Sequence, residues 1–193
     1  MLKIAVLLSG SGRTLDNFHQ RIVNGTLDAQ IQVVISNVRD ALGLSKAEEY
    51  GYPAFYGADN EAINAILQEY PVDIICLAGF LKLYEPPEAL ARSVINIHPS
   101  LIPAFCGNGF YGSRVHRAVK KRGCLVSGCT VHFASEVYDE GPIIVQKSVD
   151  LDYDDTPDTI ATKVFGAECE AFPEALNRVN EKGVDFFWKR VQS

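Results

Sequence analysis

Asn96 and His98 stand two apart in the run VINIHPS, Val94 to Ser100, an apolar segment that stops at a proline. In a β-strand, residues i and i+2 point to one face, so a carboxamide and an imidazole stand side by side there. The amide donates and accepts hydrogen bonds, and the ring titrates near neutral pH. Pro99 pushes His98 into extended geometry and so keeps it in the strand. The alternative is a core pair that satisfies the backbone of a loop.

A second stretch, LLSGSGRTLDN, places Ser9-Gly10-Ser11-Gly12 between an apolar run and a helical pattern. A strand that turns directly into a helix leaves unpaired N–H groups and the positive end of the helix dipole where a phosphate can dock. Leu15 stands where a dinucleotide fingerprint needs its third glycine, and the Gly-Lys pair of a triphosphate loop is missing. The pattern therefore suits a small phosphate monoester better than NAD or ATP, unless the turn holds no ligand. Arg13 and Thr14 add a charge and a hydroxyl at the helix start.

Asp139 lies in Asp-Glu-Gly-Pro ahead of an apolar run, where it acts as a turn former or reaches His98, a choice that spacing leaves open. The stretch RVHRAVKKRG reads as a solvated basic helix face or a landing strip for an anionic tail, and His132 in TVHF as a packed or a surface-facing ring. Ile160, Val164 and Glu168 share a helix face at i, i+4 spacing. A carboxylate on that apolar stripe needs a partner, and a ligand amine would be one.

The elements that must hold these groups alternate. KIAVLL, IQVVIS, PAFY, VDIICLAGF and VINIH have strand length, and amphipathic stretches of helix length separate them, the last being PPEALARS. This is the pattern of an α/β, Rossmann-like, mainly parallel sheet with helices on both faces. After Pro99 a long connection leads to a helix at about Arg114 to Lys121, two further strands in CLVSGCTVHFAS and PIIVQKSVDL, and a helix opening at Thr156 or Asp155 with Pro157 in its first turn. Pro173 kinks that helix or opens another one that carries Trp188. The expected organisation is a single domain over 1–193 in two halves, about 1–98 with the phosphate-binding turn and about 99–193.

The bulk numbers set outer limits. The chain has 24 Asp and Glu against 18 Lys and Arg, a net charge of -6, which argues against nucleic acid as a partner. The five cysteines are scattered without metal-site or disulfide-framework spacing, which fits a reducing cytoplasm. The opening MLKIAVLLSGSG reads as a first strand rather than a signal peptide, and no segment is long enough to span a membrane.

AVLLSGSGRTL, VISNVRDALGLSKAEEYGYP, DIICLAGFLKLY, INIHPSLIPAF, SGCTVHF and YDEGPIIVQ occur in this order, and together they resemble the folate-dependent glycinamide ribonucleotide formyltransferases, from Lys3 to about Val179. The resemblance implies a catalytic triad of Asn96, His98 and Asp139, with substrate phosphate at Gly12, Arg13 and Thr14 and the glycinamide end at Glu168. It implies a folate site along Leu81, Lys82, Leu83 and Tyr84, reaching Asn96, with the pterin against Ser135, Glu136, Val137, Tyr138 and Asp139.

The implied reaction moves a formyl group from 10-formyltetrahydrofolate to the amine of 5'-phosphoribosylglycinamide by direct attack through a tetrahedral intermediate. Asn96 and His98 would stabilise the oxyanion, with Asp139 keeping His98 protonated by charge pairing. Neither a metal nor a covalent nucleophile is needed, and the partners are two small molecules of a cytoplasmic monomer or homodimer.

The chain departs from the family pattern at Arg13-Thr14, where Ser-Asn is common, at Lys82, where arginine is frequent, and at Phe165, where a polar residue often stands. The segment CGNGFYGSR is longer than the corresponding loop, and its glycines suit a lid over the folate site. Rival readings are methionyl-tRNA formyltransferase or formyltetrahydrofolate hydrolase, each expected to need an additional domain, a small Rossmann-type oxidoreductase, and a catalytically silent folate or nucleotide binding module.

Overall fold

A computed structural model describes residues 1–191; residues 192 and 193 of the expected domain lie outside the described residues. Strands β1 (Leu2–Leu8), β2 (Ala29–Ser36), β3 (Ala54–Tyr56), β4 (Ile74–Leu77) and β5 (Val94–His98) alternate with helices α1 (Arg13–Val23), α2 (Leu42–Glu49) and α3 (Asn60–Glu69). Beyond them come α4 (Ser113–Arg122), β6 (Val126–Phe133), β7 (Ile143–Asp150), α5 (Pro157–Lys182) and α6 (Val184–Lys189). The strands form one seven-stranded sheet in the order β3-β2-β1-β4-β5-β6-β7. β3 through β5 pair in parallel, and β6 and β7 add antiparallel to that edge.

β1 shows why both faces are covered. Ile4, Val6 and Leu8 pack with Leu15 and Phe18 of α1, Val115 of α4 and Val164 and Phe172 of α5, whereas Ala5 and Leu7 pack with Ile63 and Leu67 of α3. An uninterrupted apolar strand is what a parallel sheet buried on two sides requires. Strand order reverses at β1: β2 and β3 lie on one side, and the chain then crosses to β4 on the other. Open α/β sheets bind ligands at the carboxyl ends of the strands flanking such a switch point. The glycine loop after β1, the segment after β4 and His98 at the end of β5 all lie there.

Two expected elements differ. PPEALARS forms only a short 3-10 turn at Glu88–Leu90, because its paired prolines remove backbone donors and the extended segment before it is pinned by Tyr84. Of the two readings of Pro173, the second is excluded: the proline lies inside α5, and the helix that carries Trp188 starts after Gly183. A proline cannot donate to the carbonyl four residues back, here that of Cys169. Arg21 Nη2, from α1, donates to that carbonyl at 3.2 Å instead. The edge contact of Phe18 on Phe172, with centroids 4.9 Å apart, fixes the same pair of helices. The start of α5 is as expected: the Thr156 side chain accepts from Thr159 N, Thr159 Oγ1 accepts from Thr156 N, and Pro157 follows.

Candidate active site

A cleft of about 430 Å³ runs along the carboxyl ends of β1, β4 and β5. At one end, Gly12 turns the chain into α1 with a left-handed φ of 73°, and no side chain caps the helix. A Cβ on Gly12 would lie 2.7 Å from the Cα of Gly43 at the start of α2, so only glycine lets the two helix starts meet. The first-turn N–H groups are left for a ligand. Arg13 and Thr14 line this end, and Phe165 and Glu168 face them from α5.

Glu168 is only partly exposed, and among the described residues nothing hydrogen-bonds its carboxylate. Burial pushes its pKa up to about 7, with the Arg13 charge pulling the other way.

The far wall is formed by the segment after β4 and the loop after β6. Ser9 Oγ accepts from Leu81 N at 3.1 Å and donates to Asn37 Oδ1 at 2.6 Å, tying the first wall to the glycine loop. Leu81 and Leu83 stay exposed at 65% and 42%, an apolar lip on the cleft, while Tyr84 is buried with its hydroxyl donating to Asn64 Oδ1 at 2.7 Å. Lys82 Nζ donates to Ala58 O at 3.2 Å. Ser135, Val137 and Tyr138 line the opposite lip; Glu136 is exposed and stands outside the lining.

Between the two walls, the strand pairing brings the proposed chemistry together. β6 runs antiparallel to β5 with His132 directly opposite Asn96, and the Asn96 amide Nδ2 lies 3.2 Å from His132 Nε2. His132 Nδ1 lies 2.8 Å from Phe133 O, so its Nε2 is the edge that faces both the Asn96 amide and Asp139. Asp139 bridges the two imidazoles, with Oδ2 at 3.4 Å from His98 Nδ1 and Oδ1 at 3.4 Å from His132 Nε2. His98 Nε2 lies 2.9 Å from the Phe105 carbonyl, to which it donates. Gly107 N donates to Asp139 Oδ2 at 2.8 Å.

Two non-glycine residues among those described have positive φ, Phe105 at 51° and Asp139 at 62°. Both bear directly on His98. Backbone of this kind persists only where the surroundings enforce it, and it concentrates at functional sites.

The expected resting imidazolium at His98 is corrected by the site's burial. Desolvation is the largest influence on the ring and lowers its pKa below the ordinary value, while Asp139 and the Phe105 carbonyl oppose it. Asp139 itself lies below the usual carboxylate value: its burial, which acts the other way, is outweighed by the two imidazoles and Gly107 N–H. An ionised carboxylate thus sits beside a ring whose cationic form gives up its proton readily.

Asn96, His98, Asp139, Glu168, the glycine-loop residues and all the expected folate-wall residues except Glu136 border one cleft. Residue spacing did not single out His132, Phe105 or His116. His116, buried in α4, lines the cleft with Nδ1 unpartnered among the described residues. The basic stretch is otherwise a solvated helix face, with Arg114 over the Tyr111 ring at 4.6 Å and Lys120 Nζ donating to Tyr153 O at 2.9 Å.

This arrangement has counterparts in known proteins. Residues 2–176 match the family model described as formyl transferase. A phosphoribosylglycinamide formyltransferase of Bacillus subtilis is 32% identical over 93% of this chain and 95% of its own length. The trifunctional purine biosynthetic protein adenosine-3 of Gallus gallus is 39% identical over 92% of this chain, which spans 18% of that relative's length. A glycinamide ribonucleotide transformylase of Symbiobacterium toebii superposes with a TM-score of 0.85 at 35% identity, covering 94% of this chain and 88% of that one. With the match running from the first strand into α5 and through every wall of the cleft, the chain belongs to the formyl transferase family, in the branch of its phosphoribosylglycinamide formyltransferases.

Proposed function

We propose that the protein transfers the formyl group of 10-formyltetrahydrofolate to the amine of 5'-phosphoribosylglycinamide, a step of purine biosynthesis, as a single-domain cytoplasmic enzyme. The observation that carries this reading is the cluster of Asn96, His132, Asp139 and His98 midway between an uncapped helix start and an apolar wall. The ribonucleotide's phosphate docks on the N–H groups of Gly12, Arg13 and Thr14, where the helix dipole favours an anion. Glu168 accepts an N–H from the glycinamide amine. The folate suits the other half, where Leu81, Leu83, Val137 and Tyr138 offer apolar surface and Ser135 offers a polar rim. The donor supplies an electrophilic formyl carbon.

Attack by the amine builds negative charge on the formyl oxygen and leaves a surplus proton on nitrogen. Asn96 donates to that oxygen. His98, neutral at rest, takes up the surplus proton and passes it to the departing folate nitrogen, while the Asp139 carboxylate stabilises the transient imidazolium. No side chain needs to form a bond to the formyl carbon. The test is a spectrophotometric assay with 10-formyltetrahydrofolate or its dideaza analogue, run with and without the ribonucleotide. Turnover that depends on the ribonucleotide is the expected result. Consumption without it would assign a hydrolase, and none in either case would leave a binding module or another acceptor.

A further inference from the structure

Arg13 opens α1, and Phe165 lies on α5, at the near end of the cleft. The Arg13 guanidinium carbon stands 4.1 Å from the centroid of the Phe165 ring. Among the described residues Arg13 forms no ion pair with a carboxylate and donates no side-chain hydrogen bond, so the ring is its one structural anchor. Its charge nonetheless reaches Glu168, three residues beyond Phe165 on α5. We propose that Phe165 is a positioning residue: its ring holds the Arg13 guanidinium over the glycine loop, and the stacked pair sets the affinity for the substrate's phosphate. The inference rests on the proposed docking of phosphate at Gly12 to Thr14.

A guanidinium held against a ring and making no side-chain hydrogen bond keeps its N–H groups available, and their planar fork matches two phosphate oxygens at once. An unanchored arginine at an exposed helix start loses rotamer freedom when it binds; one already stacked has less to lose. The platform is rigid. The Arg21 bond to the Cys169 carbonyl and the Phe18–Phe172 contact fix α1 against α5 just beyond the pair on both helices. The phosphate site thus gains a cation placed from one helix and aimed by a ring from another, and an unphosphorylated glycinamide riboside gains nothing from it.

The test uses Phe165→Leu, Phe165→Tyr, Arg13→Ala and the Phe165→Leu/Arg13→Ala double variant. Two readouts are taken: steady-state kinetics with the ribonucleotide varied, and calorimetric titration with ribose 5-phosphate. Phe165→Leu should raise the ribonucleotide KM by about 2- to 5-fold, the size of a cation–π contact at an exposed site, with kcat and the folate KM unchanged. Phe165→Tyr, which keeps the ring, should restore binding, and Phe165→Leu should add little once Arg13 is gone. An equal loss in both backgrounds would mean that Phe165 does not act through Arg13 and would overturn the proposal, as would an unchanged KM. Should wild type fail to turn over the ribonucleotide, the proposed activity falls, but the titration still decides the pair. Weaker ribose 5-phosphate binding in Phe165→Leu alone supports it; equal binding, or none in wild type, sinks it.

Discussion

His98 is gripped by a carbonyl on one side and a carboxylate on the other, and both come from residues in left-handed backbone. Asp139 can be changed without disturbing that geometry, because asparagine tolerates positive φ as well as aspartate does. Asp139→Asn should therefore fold normally while losing the charge that stabilises the His98 imidazolium as the proton passes. His98→Ala removes the donor outright. Each variant should cut turnover by about 10²- to 10³-fold, the usual cost of removing one positioned group, with an unchanged circular dichroism spectrum. Turnover near the wild-type rate in either folded variant would remove that residue from the mechanism. Asn96, His98 and Asp139 were legible in the sequence as candidates, and the structure brings the three to one cleft. His132 was not, although it lies directly opposite Asn96. Its partners are set by strand register over a separation of 36 residues, and nothing in local spacing carries that information. The protonation of His98 was misjudged for a related reason: a charge partner can be guessed from sequence, but the burial that outweighs it cannot.

Among the elements, the strands were the most legible, because an uninterrupted run such as Leu2–Leu8 has few ways to be buried except between two helical layers. The errors fell at prolines. A proline's local cost is known from sequence, whereas the group that compensates for it comes from elsewhere in the fold. α5 runs unbroken through Pro173 because Arg21 takes the orphaned Cys169 carbonyl. Arg21→Ala should destabilise the protein by about 1–2 kcal/mol through that unsatisfied acceptor, or a fall in Tm of about 2–8 °C for a chain of this size. In a Pro173→Ala background the residue at 173 can donate to Cys169 itself, and Arg21→Ala should then cost much less. Thermal unfolding of the two single variants and the double checks this. Additive losses would show that Arg21 acts through something other than the proline's missing bond.

At the scale of the whole molecule, the same cleft makes two opposing demands on stability as pH changes. His98 and His116 are lowered by burial from the ordinary 6.5. Below that value the unfolded chain binds more protons than the folded one, so their contribution is lost as pH falls. Glu168 is raised from 4.5 to about 7. Between those values the folded chain holds a proton that the unfolded chain releases, so its contribution is lost as pH rises. Asp139, held below 3.8, enters only in stronger acid. The two slopes therefore oppose one another below about pH 6.5, and wild-type stability should depend less steeply on pH there than either slope alone would make it. Glu168→Gln removes one slope and keeps the other. Its Tm should climb with pH over the same range, and by pH 8 its unfolding free energy should exceed that of wild type by on the order of 2 kcal/mol, since the buried negative charge is gone. The gain is paired with a loss of function: without a carboxylate to accept the amine's N–H, the ribonucleotide KM should rise while the folate KM stays put. Parallel pH profiles for the two proteins would place the Glu168 carboxyl in contact with solvent rather than against the apolar stripe of α5. A KM that rises equally for both substrates would remove it from the glycinamide end. The two measurements together separate its burial from its role, because stability reports the empty cleft and KM the filled one.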